Sequence, residues 1–304
     1  MSLSPPAACP HVSIVIPTRG RADYLDAALA SVAPQASLAP AEVIVVTDGE
    51  QEPSAAVTRR RGARLVSLRE PTGANAARNA GVRAARGELI VFLDDDIEAP
   101  AGWLAAILDG TAAAPGMAVF GGPIRAVIHG GGPRACGREP APITTLDLGP
   151  VDRDVELVWS ANMAIRRRAL DWIGPFDESL AGCGEEEDWL RRWHAAGGRV
   201  RYLAAAAVQH HRSAPDARLR ALCATAYGRG RAARRYDVHK GTTPALAAEL
   251  RTLAGCAGHA ARRRCAIGVV VSFHSAGRLL EGLLTLPLVE DRRRARRRSP
   301  ISPR

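Results

Sequence analysis

The sequence predicts an α/β protein, a mostly parallel sheet flanked by helices, followed by a C-terminal helical extension. Three observations predict it. Over the first two-thirds, short β-branched apolar runs alternate with segments of helical spacing, the pattern of a parallel sheet covered on both faces. The fourth run passes directly into Asp94, Asp95 and Asp96, and open α/β sheets bind ligands beyond the carboxyl ends of their strands. Past Ser213 the composition shifts to alanine and arginine with helical periodicity. The expected organisation is therefore 1–212 as the sheet domain and 213–304 as a helical, Arg-rich extension with a disordered basic end.

Residues 12–17 (VSIVIP) form the first strand, and 21–32 a helix with Leu25, Ala28, Leu29 and Val32 on one face. Residues 42–47 (EVIVVT) and 64–68 are the second and third strands, with Asp48 just past the second. An alanine-rich helix is expected over 73–86, with Thr72 as its N-cap. Residues 88–93 (ELIVFL) are the fourth and most apolar strand. A helix over 100–108 and a strand over 118–127, carrying Gly121 and Gly122, come next. The Gly- and Pro-rich stretch 129–150 reads as a loop, 166–173 and 185–196 as helices, and 199–203 as a strand leading to His210 and His211.

Composition bounds the function. With 304 residues, 47% apolar and 24% charged, the chain is globular rather than disordered throughout. Its first ten residues lack the basic and apolar regions of a secretory signal, so a cytoplasmic location is expected. The six cysteines are scattered with no CxxC, which points to buried free thiols rather than a disulfide framework or structural zinc. Of the formal charge of +10, most lies in the tail, where eleven arginines from His259 onward face only Glu281, Glu290 and Asp291. Aromatic residues make up 4%, few platforms for stacking bases, and no nucleic-acid partner is expected.

Two acidic clusters carry the chemistry. Asp94, Asp95 and Asp96 repel one another, and their place at a strand end suits a hard divalent cation with oxygen ligands. The competing reading is a solvated turn with one Asp capping a helix. Glu185, Glu186, Glu187 and Asp188 open a helix whose N-terminal dipole favours anions for stability alone. Gly182 and Gly184 before them allow a sharp turn that would present a carboxylate to a cleft.

VSIVIPTRGR at 12–21, TDGE at 47–50, GANAARNAGVRAARGELIVFLDDD at 73–96, SANMAIRRRALDWIGPFDESL at 160–180, GEEEDWLRRWHAAGGRVRYL at 184–203 and the histidine pair resemble, in order and spacing, the motif series of family 2 glycosyltransferases of the GT-A fold. The resemblance covers about residues 10–212. It implies an inverting, metal-dependent transfer of a sugar from a UDP-, GDP- or dTDP-sugar to the hydroxyl of an acceptor glycan, glycolipid or small molecule, with Mg2+ or Mn2+ as the ion. Pro17, Thr18, Arg19, Asp48, Arg78, Asp94 and Asp95 would line the donor site, Asp48 at the base or ribose and Arg78 near the diphosphate. Asp94 and Asp96 would form the DxD pair, Asp96 holding the metal and His210 completing it, with His211 as the neighbour that would substitute. The catalytic Glu-Asp pair falls on Glu185 and Glu186, making Glu186 the base; in the alternative frame Asp188 is the base.

Thr47 and Ala204-Ala205 depart from the family pattern and bear on base recognition. Trp159, Asn162 and Met163 either border the acceptor or pack in the core. The competing function classes are a sugar-phosphate nucleotidyltransferase, for which the loop at 18–21 is short and glycine-poor, and a non-catalytic Arg-rich binding protein. In the tail, the apolar stretch 266–289 is interrupted by His274, Arg278 and Glu281 and followed by six arginines. It suits a packing or interfacial helix better than a membrane span, and a peripheral contact with an anionic leaflet at the inner face of the plasma membrane is expected.

Overall fold

Strand β1 (Val12–Thr18) lies at the centre of a parallel set, with β2 (Ala41–Thr47) on one side and β4 (Leu89–Leu93) on the other. Beyond β2 lies β3 (Arg64–Ser67), also parallel. The structure, a computed structural model, describes residues 11–133 and 143–298, with side chains through Thr285. Cys9 and Cys136 fall outside the described residues. Helices α1 (Ala22–Ser37), α2 (Glu52–Arg60) and α3 (Ala74–Ala84) make the crossovers between these strands.

The alternation along each strand explains why the sheet is covered twice. Val12, Ile14 and Ile16 join Val43, Val45, Leu89 and Val91 against α1 and against α4 (Trp103–Ala113). Val15, Ile44, Val46, Ile90 and Phe92 face the other way, into a core with Ala77 and Ala80 of α3. That second core is completed by α5 (Arg167–Ile173) and α6 (Glu185–Ala195), through Leu170, Trp189 and Trp193. Strands buried on both faces read as continuous apolar runs, which is what 12–17 and 89–93 are.

The single strand expected over 118–127 is two strands in different sheets. β6 (Val119–Gly121) stays in the main sheet, while β7 (Ile124–Ile128) belongs to a second sheet with β5 (Ile97–Glu98) and β11 (Val208–Arg212). The break is at Gly122-Pro123. Proline has no N–H for a ladder, and a Cβ on Gly122 would stand 2.2 Å from the Ala206 carbonyl oxygen. The main sheet runs β3-β2-β1-β4-β9-β6-β10-β8, where β8 is Arg153–Val155, β9 Asn162–Arg166 and β10 Val200–Tyr202. β9 is antiparallel to both β4 and β6 and lies between them. The expected loop 129–150 holds a 3-10 turn at His129–Gly131 and pairs Leu146 with Ile124; its residues 134–142 lie outside the described residues.

The described chain forms two compact units, one of residues 11–127, 143–181 and 185–212, the other of 128–133, 182–184 and 213–298. The second contains three helices, α7 (Leu219–Lys240), α8 (Leu246–Arg263) and α9 (Ala266–Arg298). Gly230 of α7 and Gly277 of α9 let these two helices touch backbone to backbone, since a Cβ on either would meet a carbonyl oxygen of the other helix at 2.0 and 2.2 Å. The basic end expected to be disordered is in part helical, because α9 runs to Arg298; residues 299–304 lie outside the described residues. Within α9, Ala266–Thr285 is long and apolar enough to cross a membrane by length and composition.

Candidate active site

The three aspartates follow β4 directly, and each is held differently. Asp95 is buried. Its Oδ2 accepts a 2.7 Å bond from the Thr18 hydroxyl at the end of β1, and the Arg21 guanidinium forms an ion pair with it. Burial pushes its pKa up, to about 7, against the pull of Arg21. Asp96 accepts from Arg21 Nη1 at 2.7 Å through Oδ2, and its Oδ1 stands 3.1 Å from His210 Nε2. Burial works against its charge, but His210 and Arg21 outweigh it and bring the pKa down to about 2. Asp94, the most open of the three, faces Arg78 Nη2 at 3.6 Å.

β11 delivers His210 to this turn: His210 pairs with Ile97 across the second sheet, and His211 N–H donates to the Asp96 carbonyl at 2.9 Å. His210 Nδ1 lies 2.9 Å from the Thr144 carbonyl oxygen. A carbonyl only accepts, so Nδ1 carries a proton; burial opposes a second one, but Asp96 outweighs it, raising the His210 pKa and favouring protonation of Nε2, the atom turned toward Asp96. Metal-ligating histidines are commonly held in this way, by a carbonyl that binds the other ring nitrogen and fixes the orientation of the ring. His211 instead pairs with Glu98 at 3.1 Å.

Among the described residues no group of three or more His, Cys, Asp or Glu side chains is placed to hold a metal ion. The residues present fit a partial site. Asp96 Oδ1 is buried and outside hydrogen-bond geometry, and its 3.1 Å separation from His210 Nε2 is close to the spacing of about 2.9 Å between adjacent ligands of a magnesium octahedron. Magnesium sites of this kind use one or two carboxylates and take their remaining ligands from water and substrate phosphates.

Arg78 joins the two acidic clusters. It is buried on α3, with Nη1 bonded to Asn75 Oδ1 at 3.2 Å and Nε without a hydrogen-bond partner. Burial opposes its charge, yet the fields of Asp94, Glu186 and Glu185 hold it above the ordinary arginine pKa. Glu186, in the first turn of α6, receives two long contacts from Ser160, from its N–H at 3.5 Å and its hydroxyl at 3.4 Å. Burial raises its pKa above the usual glutamate value, more than Arg78 lowers it.

Asp188 is turned elsewhere. Its carboxylate accepts from Arg191 at 2.8 Å and Arg192 at 3.0 Å, and Arg192 also binds the carbonyls of Ile173 and Pro175. It is therefore a clamp between α6 and the end of α5, and the frame that made it the base is not favoured. Met163 is fully buried. Asn162 accepts from Trp103 Nε1 and donates to the carbonyls of Pro123 and Ala206. Both serve the core.

Asp48 corrects the expected helix cap. The N-cap of α3 is Gly73 at φ 104, and Thr72 caps nothing with its side chain. Instead Asp48 Oδ1 accepts from Thr72 N–H at 2.6 Å and Gly73 N–H at 3.0 Å, while Oδ2 faces Arg19 at 3.7 Å. Arg19 is 65% exposed, and Pro17 is half-buried beside it on β1.

Four contributors were not singled out from the sequence. Arg21 closes over Asp95 and Asp96; Ser160 faces Glu186; Asn75 and Asn79 of α3 bind the backbone at Asp177 and Phe176. All four stand in runs that carry the family resemblance, Arg21 in TRGR, Asn75 and Asn79 in GANAARNAG and Ser160 in SANMAIR.

A mixed sheet with an acidic turn after its fourth strand, a buried arginine and a second carboxylate on a facing helix defines a GT-A type glycosyltransferase. The family model for glycosyl transferase family 2 matches residues 13–174, and the chain belongs to this family. Over 221 residues it is 34% identical to a pre-mycofactocin glycosyltransferase of Mycobacterium tuberculosis, covering 69% of this chain and 45% of that one. It is 26% identical to glycosyltransferase AglE of Haloferax volcanii, over 62% of each chain. The chain thus spans about half to two-thirds of these relatives' lengths. Among solved structures, mannosyltransferase PcManGT of Pyrobaculum calidifontis, in complex with GDP-Man and Mn2+, shares the fold at a TM-score of 0.54 and 16% identity, covering 98% of this chain and 79% of that one.

Proposed function

We propose that this glycosyltransferase moves a sugar from a nucleoside diphosphate donor to an acceptor hydroxyl in a single inverting displacement. The observation that carries the reading is Arg78, a buried cation with Asp94 on one side and Glu186 on the other. A buried charge of this kind is stable only when paired, and here it lies where the donor's diphosphate and the base would meet. The neighbour with GDP-Man and Mn2+ supports a nucleotide-sugar donor and a divalent ion.

Asp48 and Arg19 would meet the nucleoside, and Arg78 the diphosphate as its charge grows on departure. Held by Asp96 and His210, with water and substrate phosphates as its remaining ligands, Mg2+ or Mn2+ would act as a Lewis acid on the leaving diphosphate. Glu186 takes the proton from the acceptor hydroxyl, and its raised pKa brings it closer to the range where a carboxylate is an effective base. Attack from the face opposite the leaving group inverts the anomeric centre. The acceptor is a glycan, glycolipid or small molecule, and the protein is placed in the cytoplasm, which fractionation of cells expressing it tests.

The deciding experiment measures nucleoside diphosphate release from UDP-, GDP- and dTDP-sugars with Mn2+, Mg2+ or EDTA. Turnover with one donor, dependent on metal, and lost in both Asp96→Asn and Arg78→Gln, is expected. Metal-independent turnover, or turnover that survives both substitutions, overturns the reading.

A further inference from the structure

Beside a small apolar core of Leu222, Cys223 and Val270, the helical unit buries charged and polar side chains while large apolar ones stand outside. On α8, Glu249 is 4% exposed whereas the adjacent Leu250 is 56% exposed. On α9, Ser275, Glu281 and Thr285 are buried, while Phe273, Leu280 and Leu284 are 45%, 38% and 58% exposed. A helix packed on a water-soluble core shows the opposite arrangement, its apolar stripe inward and its charges outward.

The buried side is an ionic network. Arg278 Nε bonds both oxygens of Glu249 at 3.0 Å, and its Nη2 reaches Asp237 of α7 at 2.6 Å. Glu281 pairs with Arg231 at 2.7 Å and Arg235 at 3.3 Å, and burial of its carboxylate is outweighed by these arginines, which lower its pKa. The two charges that interrupt the apolar stretch are thus withdrawn from the outer face. The exposed positions of α9 between Ala266 and Leu284 are 273, 280, 283 and 284, all apolar, and half-buried Val269 and Ala276 lie on the same side at 3.6 residues per turn. The exposed positions 247, 250, 254, 257 and 261 give α8 a stripe of its own, of alanine and one leucine.

The two helices form an antiparallel hairpin, with Gly268 against Ala260 and Gly282 against Leu246. Its turn carries exposed Arg262, Arg263 and Arg264, and the far end of α9 carries six arginines over 292–298. Positive charge therefore flanks the apolar stripe at both ends. A crossing helix would have to place one of these clusters on the opposite side of the bilayer. A helix lying flat keeps both on one leaflet, with its apolar face among the acyl chains.

We infer that the α8–α9 hairpin is a membrane-docking surface that lies in the plane of an anionic bilayer. Phe273, Leu280 and Leu284 enter the acyl boundary, and the arginine clusters engage phosphate headgroups. This inference is independent of the donor-site reading, because it uses no residue of the sheet unit.

Flotation of the full chain with vesicles tests it. Binding to vesicles of phosphatidylglycerol and phosphatidylcholine at 3:7 is expected, with at least tenfold weaker binding to phosphatidylcholine alone. The triple variant Phe273→Ser, Leu280→Ser, Leu284→Ser and, separately, replacement of the six arginines at 292–298 by glutamine should each reduce binding at least tenfold. Both variants should keep the wild-type melting temperature, since the three apolar side chains are exposed. Undiminished binding by either variant overturns the proposal. So does failure of the wild type to float, or a dimer that forms without lipid and is abolished by the triple variant, which would make a second copy the occupant.

Discussion

Glu186 carries the sharpest consequence of burial at the residue scale. Its folded pKa is raised above the unfolded value, so the stability it contributes is fully present below the ordinary glutamate pKa and is lost as pH rises through the raised one. The acid limb of kcat should accordingly fall above the range of an exposed glutamate. Glu186→Gln should lower kcat by about 10²–10⁴-fold, the usual value of a general base, and remove the acid limb of the pH profile. Asp188→Asn should do the reverse, costing about 1–3 kcal/mol for lost charged hydrogen bonds while keeping the acid limb of the pH profile in place. Thermal melts beside pH–rate profiles for the two variants decide between these residues. The sequence showed both carboxylates as candidates, since residues two apart on a helix point to nearly opposite faces. It did not show which face meets Arg78.

Among the elements, the switch at Gly122-Pro123 has a defined mechanical role. It sends β6 and β7 into different sheets, and β7 belongs to the same sheet as β11, which brings His210 to Asp96. Gly122→Ala would press a methyl into the Ala206 carbonyl; overpacking of this sort costs about 1–3 kcal/mol, and a lower melting temperature with weaker metal-dependent activity is expected. Asn162→Ala should cost a similar amount, about 1–3 kcal/mol, by leaving Trp103 Nε1 and the Ala206 carbonyl without their partner; chemical denaturation measures it. The strands β1, β2 and β4 were legible because each is a continuous apolar run. β9 was not: NMAIR is short, begins with a polar residue, and becomes a central strand only because β4 and β6 offer it two ladders. Helix α2 was missed for a related reason, since EPSAAVTRR has few apolar residues and its buried face includes Ser54 and Thr58.

For the whole molecule, donor binding and stability are linked. A nucleoside diphosphate at 100 times its Kd should stabilise the sheet unit by about 2.7 kcal/mol. Scanning fluorimetry with UDP, GDP and dTDP should show a rise in melting temperature for one of them, in the presence of Mn2+ or Mg2+, that EDTA or Asp96→Ala removes. No shift with any nucleotide and metal would count against the donor site.

The sequence by itself determined the α/β class, the strand-end position of the aspartates and the separation of the Arg-rich helices from the sheet. These follow from periodicity and composition, which are local properties of the chain. Tertiary structure alone decided that Arg21 closes on Asp95 and Asp96, that Arg78 lies between the acidic clusters, and that Arg278 and Glu281 turn inward while Phe273 and Leu284 turn out. Each depends on which distant segments become neighbours, and burial fixes the partner of a charge only once those neighbours are in place.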